Sequence, residues 1–322
     1  MSYPDFSYKQ IAVHFAGGHG EKVKFRADNI VIEDKDGEVL FQHSCHRFFA
    51  LLIVGEVSLT SVAIAKSIAF AFPIILLNRN MRVVARFNCA AEGNTLLRKK
   101  QYAGERNMTI AQALIAQKIA NHVTLLRTLR MPSQEDREAI SALEGIVTSG
   151  AEDVHALMGI EGNASKIFFS TYFRPLGWTR RAPRCKHDIY NVLLDIGYTY
   201  LFHFIEALLS LYGFDLFCGV HHTFFYQRKS LVCDLVEPFR CIIDRRVRKA
   251  HNLRQINPED FFFKNNQWNL AYKEQDKYTR LFLKDILEEK KKIFLFCQSY
   301  YRWFIRDKPM EQFPVYRIVE RE

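Results

Sequence analysis

Three short segments of the sequence carry the side chains that could perform chemistry. Asp234 and Glu237 stand three residues apart in a helical pattern, so we expect both carboxylates to project from one face. Neighbouring negative charges repel each other, and the usual remedy is a divalent cation or a nearby arginine. Arg240 follows three residues later. The pair therefore indicates either a cation site or a carboxylate cluster that the arginine neutralises.

The second segment contains Glu161 followed by Gly162, inside an apolar pattern typical of a helix. Glycine within a helix costs about 1 kcal/mol relative to alanine. Breaking that rule beside a carboxylate indicates that another molecule approaches the backbone closely. A solvated glutamate beside a tolerated glycine is the simpler explanation of this motif taken alone.

The third segment is the sequence Gly219-Val220-His221-His222, which is typical of a loop and is flanked by aromatic residues. A loop histidine in isolation is most often a surface or core residue. The case for a functional site therefore depends on the three segments occurring together.

The N-terminal part of the chain predicts a small β-sandwich-like domain. Alternating or β-branched residues indicate short strands with one or two helices packed against them, and apolar spacing indicates a helix over Thr60–Ala71. The predicted strands are Ile11–Phe15, Val23–Phe25, Ile30–Glu33, Val39–Phe41, Pro73–Leu77 and Met81–Phe87.

From about Asn94 the apolar period changes from two residues to 3.6, which predicts helices. The predicted helices are Leu96–Gln101, Ile110–Leu129, Gln134–Val147, Asp153–Thr171, Ile189–Leu211, Ser230–Asn252 and Lys277–Ile305. The sequence thus predicts an α+β fold. A β domain (residues 1–92) is followed by a larger all-α C-terminal domain (residues 93–322), and the two join near residues 89–94.

The net charge of +10 is distributed unevenly. Residues 1–92 carry 10 Lys and Arg against 9 Asp and Glu, whereas residues 93–322 carry 35 against 26. Such an excess favours a polyanion such as DNA as the partner, with solvated helix faces as the alternative. The candidate DNA-binding residues are Arg98, Lys99, Lys100, Arg180, Arg181, Arg240, Arg245, Arg246, Arg248 and Lys249.

The cysteines and the apolar stretches predict a cytoplasmic protein. The seven cysteines are odd in number and form no Cys-x-x-Cys pair, which favours reduced thiols over disulfides or a zinc site. The N-terminus lacks the basic and apolar regions of a signal peptide. The uncharged stretch Ser67–Asn78 is shorter than the roughly 20 residues that a membrane span needs.

Taken together, the three segments resemble the CRISPR-associated protein one family, the CRISPR adaptation integrase. The matching motifs are Glu-Gly-x-Ala at Glu161, Gly-x-x-His ending at His222, and Asp-Leu-x-Glu-Pro-Phe-Arg at residues 234–240. They follow the family's order and approximate spacing, and the resemblance covers essentially the whole chain. Supporting matches are Arg98 with Gln101, Lys118 with Asn121, Pro183, Asp188, Asn191, Gly197-Tyr198 and Gly55–Thr60.

The resemblance implies that Glu161, His222 and Glu237 are catalytic metal ligands. It implies that Asp234 supports them or binds a second ion, and it favours His222 over His221 because His222 completes the motif. Two carboxylates and one imidazole form a mostly oxygen-donor site suited to Mg²⁺ or Mn²⁺. Two departures are a glutamate at 237, where some relatives have aspartate, and the loop at residues 180–183, which lacks the usual proline-rich form.

The resemblance also implies a reaction and its partners. The 3′-hydroxyl of a short DNA fragment would attack a phosphodiester at the CRISPR repeat and so insert a new spacer into the array. The implied partners are double-stranded and branched DNA, a second copy of the chain bound through the β domain, and the small CRISPR-associated protein two. Two alternatives remain open: a repair nuclease for branched DNA, and a non-catalytic DNA-binding scaffold.

Overall fold

The computed structural model describes residues 2–18, 20–87, 93–148, 150–182, 185–222 and 225–319. Two compact units divide the chain. The first unit comprises residues 1–95 and 206–214, and the second comprises residues 96–205 and 215–322. The junction expected near residues 89–94 falls largely on residues 88–92, outside the described residues. The boundary between residues 92 and 93 therefore stays a prediction.

The first unit is rich in strands. Its elements in chain order are α1 (Tyr3–Ser7), β1 (Gln10–Phe15), β2 (Lys22–Arg26), β3 (Asn29–Glu33), β4 (Val39–Ser44), β5 (Phe48–Val54), β6 (Ser58–Leu59), α2 (Ser61–Ala69), β7 (Ile74–Leu77) and β8 (Val83–Phe87). They form two four-stranded sheets, in the orders β1-β5-β7-β8 and β4-β3-β2-β6.

Strand β5 lies in the interior of the first sheet and pairs in parallel with both β1 and β7. All seven of its residues are buried, because the strand is covered on both faces. The predictions from sequence contained no strand here. A continuous apolar run such as Phe48–Val54 lacks the alternation that marks a half-exposed strand.

One apolar core joins the two sheets of the first unit. Val23 and Ile30 come from one sheet, Leu51 and Ile74 from the other, and Ala63 of α2 packs among them. This arrangement is sandwich-like, and it is followed along the chain by helices. The predicted order of a strand-rich region and then a helical region is confirmed.

The rest of the chain is mainly helical. Its elements are α3 (Thr95–Ala103), α4 (Asn107–Arg127), α5 (Gln134–Thr148), α6 (Val154–Tyr172), α7 (Ile189–Tyr212), α8 (Ser230–Val236), α9 (Arg240–Asn252), β9 (Phe261–Lys264), β10 (Gln267–Leu270), α10 (Gln275–Glu288) and α11 (Lys290–Ile305). The antiparallel hairpin β9–β10 occupies a region between two predicted helices where no strand was predicted.

Two of the predicted helices are each divided in two. The stretch Ser230–Asn252 contains a 3-10 turn at Glu237–Phe239, between α8 and α9. Pro238 lies in the first turn of that segment, where its missing N–H costs little. The stretch Lys277–Ile305 is likewise split at Glu289, between α10 and α11.

Helix α4 runs through the interior of the second unit and packs against α5, α6 and α9. Its buried residues include Lys118 and His122 beside many apolar side chains. In the same unit Gly197 allows α7 to approach its neighbours closely. A Cβ atom at Gly197 would lie 2.5 Å from a methyl carbon of Ile243 and 3.0 Å from the ring of Phe282.

Helix α7 is long and apolar enough to cross a membrane, but 83% of its apolar window is buried inside the protein. Such burial is typical of a core helix in a soluble protein. It is the single helix with these properties in the described part of the chain.

Candidate metal and DNA site

A cavity of about 520 Å³ in the second unit brings together the three residues that were predicted as metal ligands. Glu161, His222 and Glu237 all line it. The wall also carries five basic side chains, which are Lys118, Lys166, Arg180, Arg181 and Arg240. The cavity therefore combines acidic groups that suit a cation with basic groups that suit a phosphate.

Helix α6 positions Glu161. The helix starts at Asp153, whose carboxylate accepts a hydrogen bond of 2.8 Å from the N–H of Ala156. Leu157, Ala164 and Phe168 form a buried stripe at helical spacing, and Glu161 occupies the position between them. The side chain of Glu161 is consequently only 20% exposed.

Lys118 of α4 bridges the two glutamates. Its Nζ lies 2.5 Å from Glu161 Oε1 and 2.7 Å from Glu237 Oε2. Glu237 is 2% exposed and comes from the 3-10 turn after α8, so the ammonium connects three elements of the second unit. Sequence reasoning gave Lys118 no role in the site. Its signal was a charged residue in an otherwise apolar stripe, one helical turn from both Leu114 and His122.

The Lys118 ammonium shapes the titration of Glu161. Burial by itself would raise the pKa of this carboxyl, but the Lys118 charge and the hydrogen bond from His221 lower it below the ordinary value. For Lys118, burial favours the neutral form, yet the charges of Glu237 and Glu161 outweigh it and raise the pKa. Lys118 and Glu161 therefore both carry their charges at neutral pH.

Arg240 supplies a second cation to Glu237. Its Nε donates a hydrogen bond of 2.9 Å to Glu237 Oε1, and its guanidinium lies 4.7 Å from the ring centre of Tyr198. The Tyr198 hydroxyl in turn donates a hydrogen bond to Asp244, which also lines the cavity. Burial raises the pKa of Asp244 to about 7, partly offset by that hydrogen bond.

His122 is a neutral member of the cavity wall. Its ring stacks on Phe168 at a centroid distance of 3.8 Å and an interplanar angle of 4°. Burial, together with the nearby Lys118 charge, lowers its pKa well below the ordinary value. His122, Tyr198 and Asp244 were not predicted as site residues, because each is an unremarkable polar residue within a helical pattern.

Asp234 organises the histidine loop rather than facing the cavity. It is 1% exposed, and its Oδ2 accepts hydrogen bonds from the N–H groups of Val220 and His221. Its Oδ1 accepts from the N–H of His222 and lies 2.5 Å from Nδ1 of the same residue. Asp234 and Glu237 thus have different surroundings, since the chain changes from α-helix to 3-10 turn between them.

The two adjacent histidines have different environments. His221 is 2% exposed, and its Nε2 lies 2.9 Å from Glu161 Oε2. The side chain of His222 is 22% exposed and lines the cavity. Because Asp234 engages His222 Nδ1, Nε2 is the ring nitrogen that remains for a ligand.

Gly219 is required by the packing of this loop. A Cβ atom there would lie 2.6 Å from Ser230 Cβ and 2.7 Å from Asp234 Oδ2. Gly162 has the opposite environment, since a Cβ atom at this residue would meet nothing within 4 Å. Gly162 also lines the cavity, so packing within the protein does not account for the glycine.

The chemistry of the donor set fits a divalent cation. Two carboxylates and an imidazole line one cavity, and buried Glu237 Oε2 makes no hydrogen bond of good geometry to any described group. The side chains do not, however, converge as a coordination shell. Within residues 2–18, 20–87, 93–148, 150–182, 185–222 and 225–319, no three His, Cys, Asp or Glu groups meet closely enough to hold an ion. Lys118 occupies the space between the two glutamates.

The ten candidate DNA-binding residues differ in how exposed their side chains are and in whether other groups of the protein already bind them. Arg180, Arg181 and Arg240 line the cavity, and Lys99 and Lys249 are exposed on helices. Arg246 is 6% exposed and forms an ion pair with Asp285, so it presents little surface. Lys100 forms an ion pair with Asp307, and Arg245 and Arg248 donate hydrogen bonds to the carbonyl oxygens of Val319 and Tyr172. Arg98 is half-buried.

Comparison with known proteins decides the family. A family model described as CRISPR associated protein Cas1 matches residues 15–284. The chain belongs to the Cas1 family. The CRISPR-associated endonuclease Cas1 1 of Thermodesulfovibrio yellowstonii is 32% identical over 66% of this chain and 71% of that protein. The family resemblance inferred from the three motifs is thereby confirmed.

Solved structures show the same fold as this Cas1-family chain. A chain of a Cas6-RT-Cas1–Cas2 complex superposes with a TM-score of 0.81 at 20% identity, covering 97% of this chain and 36% of that chain. A casposase bound to integration product gives a TM-score of 0.80 at 19% identity, covering 97% and 96%. At these identities the likeness concerns the fold.

The buried carboxylate of Asp234 generates a prediction about stability. Asp234→Ala should lower the free energy of unfolding by about 2–4 kcal/mol, because it leaves three N–H groups of the loop, one buried and two part-buried, without their acceptor. Urea unfolding measures this. The control is Asp276→Ala, which breaks an exposed pair with Arg280 and should cost no more than about 0.5 kcal/mol. Equal losses in the two variants would contradict the assigned role.

Proposed function

We propose that this Cas1-family chain is a metal-dependent DNA integrase and endonuclease of CRISPR adaptation. The observation that carries the proposal is a cavity whose lining contains Glu161, His222 and Glu237 together with basic side chains. A phosphodiester has the charge and the size to enter such a site. The curated relative from Thermodesulfovibrio yellowstonii is itself named an endonuclease.

In this proposal Glu161, His222 and Glu237 hold a Mg²⁺ or Mn²⁺ ion. Carboxylate oxygens are the preferred ligands of these hard cations, and one imidazole is compatible with Mn²⁺. When bound, such an ion would polarise the scissile phosphate and stabilise the charge that develops on its oxygens. Asp234 contributes indirectly, by fixing the loop and orienting the His222 ring through Nδ1.

The protein's own side chains would position the DNA. Arg181 and Arg240 line the cavity and are each held in place, Arg181 by Asn191 and Asp195, and Arg240 by Glu237 and Tyr198. Cations fixed in this way can bind phosphate oxygens without reorganising during the reaction. Gly162 leaves the α6 surface open beside Glu161, which allows a strand to approach the helix backbone.

The proposed reaction is a direct transesterification. The 3′-hydroxyl of a DNA fragment attacks a phosphodiester at the CRISPR repeat, and the displaced strand leaves with its own 3′-hydroxyl. With water as nucleophile the same site would cleave DNA. Positioning and electrostatics suffice for this chemistry, so no covalent protein intermediate is needed. The structural similarity to a casposase bound to integration product supports the proposed joining reaction.

The proposed assembly contains a homodimer formed through the β domain, together with Cas2. The similarity to a chain of a Cas6-RT-Cas1–Cas2 complex supports Cas2 as a partner. Residues 1–92 carry almost no net charge, whereas residues 93–322 carry nearly all of the excess. The helical domain is therefore the proposed DNA-binding part.

The two glutamates provide the main test of the activity. Glu161→Gln and Glu237→Gln should each reduce strand joining at least about 100-fold, because several kcal/mol of charge stabilisation depend on the ion they hold. The assay follows a labelled DNA fragment incubated with repeat DNA and Mn²⁺, and it resolves joined from shortened products. Glu152→Gln, an exposed glutamate outside the cavity, is the matched control and should retain full joining.

The products of this assay separate the proposal from its alternatives. Joined strands whose formation needs the divalent ion support an integrase. Shortened strands alone would indicate a repair nuclease, and DNA binding without any turnover would indicate a scaffold. Full joining by Glu161→Gln and Glu237→Gln would reject the proposed ligands.

The adjacent histidines provide a second test. His222→Ala should abolish joining, because His222 is the histidine that lines the cavity, whereas His221→Ala should keep most of it. Rates are compared at equal folded fraction, measured by circular dichroism, because His221 is buried and its loss also affects stability. Equal loss of joining at both positions would refute the assignment of His222.

A further inference from the structure

Lys118 holds the position between the two carboxylates that a shared divalent ion would need. Its side chain is 7% exposed, and its Nζ contacts Glu161 Oε1 at 2.5 Å and Glu237 Oε2 at 2.7 Å. The two oxygens can therefore be no farther apart than the sum of these distances. One ammonium group therefore forms ion pairs with both carboxylates.

The two remaining carboxylate oxygens are also engaged. Glu161 Oε2 lies 2.9 Å from His221 Nε2, and Glu237 Oε1 accepts a hydrogen bond of 2.9 Å from Arg240. All four oxygens thus face a cation or an imidazole. A divalent ion held by both glutamates would compete for these oxygens with the groups that they already contact.

Lys118 is the group best able to leave. His221 is 2% exposed within a loop fixed by Asp234, and the Arg240 guanidinium lies against the Tyr198 ring. Lys118 carries its charge on a flexible four-carbon stem and lines the cavity, which offers room for the displaced ammonium.

We infer that Lys118 is an internal counter-ion that exchanges with the divalent ion. Without metal it keeps Glu161 and Glu237 together and neutralises their repulsion. When metal binds, the ammonium moves into the cavity. Lys118 therefore stabilises the metal-free protein and weakens its affinity for metal. This inference rests on the proposed metal site. It adds that the Lys118 ammonium competes with the divalent ion for the two glutamates.

The first experiment measures Mn²⁺ affinity by calorimetry on the full chain without DNA. Lys118→Met keeps the stem and removes the charge, so it should bind Mn²⁺ at least about tenfold more tightly than the unaltered chain. Lys166→Met removes an exposed charge from the same cavity without vacating the shared position. This control should change the affinity by no more than about threefold. If the two variants change the Mn²⁺ affinity by similar factors, Lys118 acts only through its positive charge and not through its position, and the inference is overturned.

The second experiment uses the unaltered chain and so does not depend on the folding of a variant. An amine-reactive reagent labels lysines with and without Mn²⁺, and mass spectrometry locates the label. Lys118 should be protected without metal and should become reactive with it, while exposed Lys166 reacts in both states. Protection of Lys118 in the metal-saturated protein would overturn the exchange.

The outcomes also separate this inference from the proposed function. If neither the unaltered chain nor Lys118→Met binds Mn²⁺, the proposed metal site fails along with the exchange. If Mn²⁺ binds, Glu161→Gln abolishes binding and Lys118→Met leaves the affinity unchanged, the metal site stands and only the role of Lys118 is rejected.

Discussion

The ion cluster of Lys118, Glu161 and Glu237 is the interaction on which the site depends. Two unit charges 4 Å apart attract each other by about 4 kcal/mol at an effective dielectric constant of 20. Removing one partner of such a buried cluster costs about 3–5 kcal/mol, because the others are left uncompensated. The apolar stripes of α4 and α6 bring these charged groups into the interior, where Lys118 links both helices to the turn after α8.

The residues around this cluster form two sets with different structural roles. Asp234 and Gly219 lie outside the cavity and fix the histidine loop, one by hydrogen bonds and the other by leaving space. His222 and Arg240 line the cavity and are each oriented by an acidic partner. The first set shapes the loop that carries His222, and the second set presents its side chains to the cavity.

Much of the fold and the site could be predicted from the sequence, for physical reasons. Helical periodicity located most helices, and the three motifs contain Glu161, His222 and Glu237, which line the cavity. Strand β5 was missed because a strand buried on both faces shows no alternation. The break at Glu237–Phe239 was missed although Pro238 gives a local signal for it, since a proline inside a helical pattern marks the start of a new turn. The role of Lys118 depends on a contact with Glu161, 43 residues away, which no local pattern contains.

The most direct test of the site is the position of the ion itself. Crystals of the full chain grown with Mn²⁺, with diffraction recorded at a wavelength where manganese scatters anomalously, would locate it without any activity assay. We predict an anomalous peak about 2.0–2.6 Å from carboxylate oxygens of Glu161 and Glu237 and from the His222 imidazole, with the Lys118 ammonium displaced. A peak elsewhere, with Lys118 still between the two glutamates, would contradict the proposed metal centre.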